Sequence, residues 1–108
     1  MILGFIGIGK ISSSVITGIS KSDIKYKKII LSSRNKKISK SIEKKYKKIF
    51  IARTNQEVIE KSDWVFLAVT PEVGKKIIKN LKFTSKQTII SFISTITLSE
   101  LRKSIKVK

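Results

Sequence analysis

Two glycines and a serine near the amino terminus form the pattern in this chain that is best suited to binding a ligand. The segment from Ile2 to Ser14 reads ILGFIGIGKISSS, and Gly7, Gly9 and Ser12 occupy the three key positions of a G-x-G-x-x-G motif. There the first glycine permits a tight turn, the second lets the backbone approach a pyrophosphate, and the third position allows close helix-to-strand packing, for which serine is small enough. The alternative is a glycine turn that binds nothing.

The residues around this motif predict a strand, a turn and a helix in that order. The apolar run from Ile2 to Ile6 is typical of a buried strand. Ile11, Val15 and Ile19 recur at intervals of four residues and predict a helix over 10–20 that packs this stripe on the sheet. The amino terminus of that helix would face a bound phosphate, whose charge its free N–H groups and dipole would favour.

Strands and helices are predicted to alternate along the rest of the chain. Pro71 suits the first position of a helix, and capping boxes of Thr54 with Glu57 and of Thr97 with Glu100 predict two more helix starts. The predicted strands are 28–33, 49–51, 64–69 and 88–93. The predicted helices are 35–46, 55–61, one that starts at Pro71 and one that starts at Thr97. The residues predicted to face inward are Ile38, Ile42 and Tyr46 in the first of these helices, Val73, Ile77 and Leu81 in the third, and Leu98, Leu101 and Ile105 in the fourth.

This alternation predicts an α/β fold, a Rossmann-type doubly wound parallel sheet of about five strands between two helix layers. The expected strand order is 3-2-1-4-5, with right-handed crossovers. In that topology a ligand crevice lies at the carboxyl ends of the strands, and the glycine turn sits in its middle.

Composition excludes several kinds of site. The 108 residues suit one domain, and 41% of them are hydrophobic, which argues against disorder. There is no cysteine and no histidine, so the chain can form no disulfide, has no histidine base, and is a poor candidate for a zinc-type metal site. The first apolar run is interrupted by Gly7, Gly9 and Lys10, so we expect no signal peptide or membrane span and a cytoplasmic protein.

The net charge of +17 raises the hypothesis of a polyanion-binding or nucleic-acid-binding protein. Of the 24 basic residues, however, only Arg34, Arg53 and Arg102 are arginine, the residue that base recognition favours. The segment from Lys21 to Arg53 is the most basic, and we interpret it as a solvated helix face beside an edge strand that is protected by charge. Electrostatic binding through the face from Lys21 to Lys48 remains the alternative.

The residues around the end of the second predicted strand favour NADPH over NADH. In dinucleotide-binding folds an acidic residue at this place binds the ribose of NAD, whereas this chain has Ser32, Ser33, Arg34 and Asn35. Hydroxyls, a guanidinium and an amide can all donate hydrogen bonds to a 2′-phosphate. The alternative interpretation, a helix N-cap followed by a surface arginine, is compatible with this one.

Nearly the whole chain resembles the amino-terminal NADP-binding domain of pyrroline-5-carboxylate reductase. The similarity rests on GFIGIGKISSSVITGI, ILSSRN, SDWVFLAVTPE and SFISTITLSEL. It implies an oxidoreductase of proline biosynthesis that transfers a hydride from NADPH to the C=N bond of a cyclic imine. The cofactor contacts that it implies are Ile6, Gly7, Ile8, Gly9, Lys10, Ile11, Ser33, Arg34, Asn55, Ala68, Val69, Thr70 and Pro71.

The chain departs from the pattern of that family at three places. Lys10 stands where the family has an asparagine or glutamine, and Thr70 stands where it has a lysine. Phe92, Ile93, Ser94 and Thr95 stand where it has small residues ending in glycine, and Phe92 and Ile93 would narrow the nicotinamide end if they point into it. The family's carboxyl-terminal domain, which supplies the substrate pocket, the catalytic hydroxyl and the dimer interface, is expected to be absent from these 108 residues. We therefore expect no catalytic residue and no turnover from this chain alone.

Two further alternatives stay open at this point. Another NADP-linked reductase with the same domain, of the prephenate or hydroxyacid dehydrogenase type, would share these motifs. A degenerate Rossmann protein kept for protein contacts would explain the departures at Lys10, Thr70 and Phe92.

Overall fold

A computed structural model describes residues 1–33 and 36–93 of the chain, together with the backbone of residues 106 and 107. Helices and strands alternate as predicted from residue 2 to residue 78. The elements are β1 (Ile2–Ile6), α1 (Lys10–Lys21), β2 (Lys28–Leu31), α2 (Lys36–Lys45), β3 (Ile49–Ile51), α3 (Asn55–Lys61), β4 (Trp64–Leu67), α4 (Pro71–Ile78), β5 (Lys82–Phe83), β6 (Thr88–Ser91) and β7 (Lys106–Val107). The helix predicted from Thr97, with its inward residues, lies outside the described part.

Five parallel strands form the main sheet in the order β3-β2-β1-β4-β6. Since β6 is the fifth strand that the sequence predicted, this order confirms the predicted Rossmann topology. Strand β1 lies in the centre, with Gly4 level with Ile30 of β2 on one side and with Val65 of β4 on the other. The carboxyl ends of β1 and β4 therefore meet at one edge of the sheet.

A second, two-stranded sheet of β5 and β7 was not predicted. Strands of two residues are too short to show any hydrophobic periodicity. The side chain of Gln56 anchors β5, since its oxygen accepts the N–H of Lys82 at 2.9 Å and its amide donates to the carbonyl of Lys82 at 3.0 Å. Phe83 of β5 is fully buried in the core.

The main sheet has a hydrophobic core on each face, and consecutive residues of β1 alternate between them. Phe5 packs with Ile16 of α1 and Ile42 of α2. Ile6 packs on the other face with Val58 of α3 and with Ile78 and other residues near α4. Both side chains are fully buried, which explains why this strand is a continuous apolar run.

The residues that were predicted to be buried on α1 were wrong by one position along the helix. The buried residues of α1 are Ser12 and Ile16, while Val15 and Ile19 are half-buried and Ile11 is 53% exposed. The cause is Ser12, whose hydroxyl donates to the carbonyl of Gly7 at 2.7 Å and so turns this residue toward β1. Because successive helical residues are about 100° apart, Ile11 then faces outward.

The predicted stripe of α4 also needed correction. The helix ends at Ile78, and its buried positions are Gly74 and Ile78, with Val73 and Ile77 only half-buried. Leu81 is buried as predicted, but from the loop that follows the helix. The helix starts where it was predicted, with the Thr70 hydroxyl accepting the N–H of Val73 at 3.4 Å and Pro71 at the first helical position.

The strands are shorter than predicted at their carboxyl ends. Strand β2 ends at Leu31, β4 at Leu67 and β6 at Ser91, two residues before the predicted ends. Trp64, predicted to start a fully buried strand, is 39% exposed. Within the described residues no helix is both long and apolar enough to span a bilayer.

Candidate cofactor-binding site

The turn after β1 requires a glycine at its first motif position. Gly7 has a φ of +89°, a left-handed conformation that side chains other than glycine rarely adopt. A β-carbon here would also lie 2.6 Å from the carbonyl oxygen of Ala68. Gly7 is therefore needed by the fold itself, whether or not a ligand binds.

Buried hydroxyl groups hold this turn from both sides. The hydroxyl of Ser32 accepts the N–H of Gly7 at 3.1 Å, and the hydroxyl of Ser12 donates to its carbonyl at 2.7 Å. The Ser39 hydroxyl donates to the carbonyl of Ser32 at 2.9 Å. All three serines are almost completely buried. Ser12 thus serves the close packing predicted for it, while the buried Ser32 supports the turn from inside the protein.

Gly9 is different, because nothing in the described structure requires a glycine there. It is the N-cap of the 12-residue helix α1, its backbone is extended, and it makes no side-chain capping bond. A β-carbon on Gly9 would meet no atom within 4 Å. The space in front of the helix terminus is open, and no acidic residue lies in the first turn. An open, positively polarised helix terminus is suited to an anion such as a pyrophosphate.

A first cavity of about 470 Å³ lies in front of this turn. Its walls come from four elements or their ends, as expected for a crevice at the carboxyl edge of a Rossmann sheet. Lys36, the first residue of α2, contributes the only charged side chain among the described residues that line it. The lining residues are Gly7, Ile8, Gly9, Lys36, Ala68, Val69, Thr70 and Val73.

A second cavity of about 350 Å³ continues the crevice past Gly9. It shares Gly9 and the segment 68–70 with the first cavity and adds Lys10, Ile11, Pro71 and Phe92. The crevice therefore has one lysine in each part, Lys36 in the first and Lys10 in the second. No carboxylate is found among its described lining residues, so its electrostatic character favours an anionic ligand.

Phe92 lines the second cavity, whereas Ile93 does not. The Phe92 ring stacks on Phe66 with centroids 6.0 Å apart, and Phe66 stacks on Phe5 at 4.5 Å. This row of rings holds Phe92 as a wall of the cavity. Ile93 is only 4% exposed and packs in the core on the other face of the sheet.

The structure brings most of the predicted cofactor residues together. Residues 7–11 and 68–71 line the two cavities. The side chain of Ile6 is fully buried in the core. Asn55, at the start of α3, lines neither cavity, and Arg34 lies outside the described residues. The cofactor contacts of all these residues stay predictions.

Ser33 and the loop after β3 border the end of β2. The Ser33 hydroxyl donates to the carbonyl of Arg53 at 3.2 Å. The predicted capping box then holds this loop, because Thr54 accepts the N–H of Glu57 at 3.1 Å and Glu57 accepts the N–H of Arg53 at 2.8 Å. This backbone hydrogen bond, and Lys61 at 3.3 Å, hold the pKa of Glu57 below its ordinary value.

Sequence reasoning missed Lys36 and Val73 as lining residues of the crevice. Lys36 could have been found from its place at the start of the helix after SSRN, where side chains point toward the crevice of a Rossmann fold. The spacing of apolar residues predicts that Val73 is buried under α4, so the sequence gives no sign that it lines the crevice. In the described part of the chain no group of three or more potential metal-binding side chains comes together.

Comparisons with known proteins agree with this fold. The chain is 26% identical over 103 residues to pyrroline-5-carboxylate reductase of Arabidopsis thaliana. The matched region covers 94% of this chain and 37% of that protein. The structure of 1-pyrroline-5-carboxylate reductase from Streptococcus pyogenes superposes with a TM-score of 0.79 and 29% identity, over 98% of this chain and 39% of that one. These matches confirm the resemblance that the motifs indicated.

A third relative shows the same fold. The structure of pyrroline carboxylate reductase from Plasmodium falciparum, with NADP bound, has a TM-score of 0.79 and 23% identity over 96% of this chain and 37% of that one. The chain thus spans less than two fifths of the length of each of these three relatives.

The residues that form the glycine motif and line the crevice lie within the part of the chain that matches one protein family. Residues 2–95 match the family described as NADP oxidoreductase coenzyme F420-dependent. The name of this family agrees with the expectation that the cofactor is NADP(H). The chain belongs to this family of NADP oxidoreductases.

Proposed function

We propose that this chain is the NADP(H)-binding domain of a pyrroline-5-carboxylate reductase-like oxidoreductase that acts in proline biosynthesis in the cytoplasm. The observation that carries the proposal is the open approach to Gly9 at the amino terminus of α1, inside a crevice with lysines but no carboxylate among its described lining residues. The family and the two relatives above 25% identity support it.

The two parts of the crevice suggest how a dinucleotide would be held. The pyrophosphate would lie at Gly9, where the α1 terminus offers free N–H groups. We place the 2′-phosphate near Lys36 and Ser33, together with Arg34. The nicotinamide would then occupy the second cavity, between Lys10 and Phe92. When bound, the cofactor supplies the hydride, which in the complete enzyme reduces the C=N bond of a cyclic imine.

This domain positions the cofactor and pairs with its charges, and it does not transfer protons. Among the described lining residues, Lys10, Lys36 and Thr70 are the only ones with a polar side chain, and the Thr70 hydroxyl already caps α4. We therefore propose that the substrate pocket and any subunit interface belong to the part of the relatives that this chain does not cover, which is more than half of their length. The 108 residues alone should then bind cofactor without turnover.

Titration of the purified chain with NADPH and NADH by isothermal calorimetry tests the proposal. We expect NADPH to bind at least about tenfold more tightly than NADH, a difference of about 1.4 kcal/mol. Absence of binding at millimolar cofactor, or a preference for NADH, would contradict the proposed function.

A second measurement tests the division of roles. The chain is mixed with NADPH and pyrroline-5-carboxylate, and the absorbance of the reduced nicotinamide is followed. We expect no oxidation above the rate without protein. Sustained turnover would show that catalytic groups lie within this chain.

A further inference from the structure

Apart from the crevice, a concave surface lies between α1 and α2, and we call it the α1–α2 groove. Its volume is about 540 Å³, and it shares no lining residue with the two cavities of the crevice. Lys36 and Lys37, which are consecutive, line different sites, since Lys36 lines the first cavity and Lys37 lines the groove. The polar residues that line the groove are Ser13, Thr17, Lys37, Ser41, Lys45 and Tyr46.

The α2 side of the groove is a straight row of polar residues above an apolar floor. Lys37, Ser41 and Lys45 follow one another at intervals of four, which places the two lysines about 12 Å apart along the helix axis. Ile38 and Ile42 form the floor, and Ile42 is only 6% exposed. A ligand that fits this surface needs both apolar groups for the floor and groups that attract lysine.

The α1 side of the groove carries only small side chains. Ser13 and Thr17 line it, and Ser14 and Gly18 lie beside them on the outward face of α1. Gly18 is unexpected because glycine is among the least favourable residues inside a helix. A β-carbon on Gly18 would meet no atom within 4 Å, so no contact in the described structure requires a glycine. This face would let the backbone of another helix approach closely.

The charge of the groove selects among possible occupants. No carboxylate is found among its described lining residues. A second copy of this chain, which also carries a net charge of +17, would be repelled from it. Nucleic acid fits poorly, because the one aromatic ring in the groove, Tyr46, is hydrogen-bonded to Thr17 at 2.7 Å and has the Lys45 ammonium 5.7 Å from its centroid. Bases therefore have no free stacking platform there.

We propose that the α1–α2 groove binds an acidic amphipathic helix of a partner protein. The apolar face of that helix contacts Ile38 and Ile42, and its carboxylates pair with Lys37 and Lys45. The helix backbone packs against Ser13, Thr17 and Gly18. This site is separate from the cofactor crevice, so the proposal does not depend on cofactor binding.

A designed peptide tests this proposal. The probe is a fluorescently labelled helix of about 18 residues with leucines on one face, at intervals of three and four, and glutamates beside them. A control peptide has the same composition in an order that gives no apolar face. Binding to the full chain is measured by fluorescence anisotropy at about 0.15 M salt, where long-range charge attraction is screened. We expect the patterned peptide to bind and the scrambled peptide to bind at least about tenfold more weakly.

Two charge-matched double variants locate the contact. Lys37→Glu with Lys45→Glu changes the groove, whereas Lys40→Glu with Lys44→Glu changes exposed lysines of the same helix that do not line it. We expect the first pair to weaken peptide binding by about tenfold or more, and the second pair by less than about threefold. Gly18→Leu, which favours the helix but fills the open face, should also abolish binding. Circular dichroism checks the fold of each variant, and Lys→Gln pairs replace any Glu pair that does not fold.

Several outcomes would overturn the proposal. Equal losses from the two double variants would show diffuse charge attraction, and equal affinity for the two peptides would exclude an apolar contact. Failure of the patterned peptide to bind at submillimolar concentration would exclude the groove as a helix-binding site. Displacement of the peptide by a DNA duplex whose own binding requires Lys37 and Lys45 would assign the groove to nucleic acid instead.

Discussion

Gly7 and Val69 lie so close together that a β-carbon on Gly7 would be 2.5 Å from the Cγ1 atom of Val69. This contact joins the turn after β1 to the segment after β4, and the two segments form facing parts of the crevice wall. The shape of the crevice is therefore determined by packing between neighbouring strand ends.

Substitution of Gly7 tests this contact. Gly7→Ala combines a strained positive φ with a steric clash, and we expect it to lower the free energy of unfolding by about 2 to 4 kcal/mol. Urea denaturation followed by circular dichroism measures the change. Gly9→Ala is the control and should cost less than about 1 kcal/mol, because its β-carbon points into open space. Equal losses in the two variants would contradict our account of the turn.

The same substitution at Gly9, which adds one methyl group, should affect the cofactor instead. A methyl group there occupies the space that a pyrophosphate would need, so we expect Gly9→Ala to weaken NADPH binding by about tenfold or more while the fold is kept. Gly18→Ala is the matched control, since it adds the same group to open space on α1 away from the crevice. It should leave the NADPH affinity unchanged and raise stability by up to about 1 kcal/mol. The affinities are compared by calorimetry.

Lys36 should contribute to the preference for NADPH. Lys36→Gln removes a positive charge from the first cavity, and we expect about tenfold weaker NADPH binding with little change for NADH. Lys37→Gln makes the same change in the next residue, which faces the α1–α2 groove, and should have little effect on either cofactor. If both variants weaken NADPH equally, overall charge rather than a specific contact explains the preference.

Glu57 should make the stability of this domain depend on pH. Its pKa is lowered in the folded state, first by the hydrogen bond from the Arg53 N–H and then by Lys61, so its ionised form stabilises the fold. That contribution is present above the pKa of Glu57 in the unfolded chain and is lost as the pH falls through the lower pKa of the folded state. Glu57→Gln keeps an acceptor for the Arg53 N–H but has no charge to lose.

Denaturation curves of the wild type and Glu57→Gln between about pH 7 and pH 3 measure this difference. We expect the wild type to be the more stable protein at neutral pH and the difference to shrink on acidification. A difference that does not change with pH would mean that Glu57 acts through its shape alone.

Local patterns were enough to predict the strand order of the main sheet and the helices that join its strands from β1 to α4. The glycine turn after an apolar run, the capping residue Thr54 and Pro71 each act within a few neighbouring residues, so their effect can be inferred from the sequence. The burial of β1 on both faces likewise appears as a continuous apolar run, and it leads to the central position that the sheet confirms.

Only the tertiary structure decided which side chains face the crevice and which face the core. Ile11 and Ser12 differ by about 100° around α1, and the hydrogen bond from Ser12 to Gly7, across the turn, selects the one that is buried. Phe92 and Ile93 are consecutive after β6, yet one lines the second cavity and the other is in the core. Lys36 and Lys37 likewise face different sites. The sequence determined the elements and their order, but these directions depend on contacts between segments that are distant along the chain.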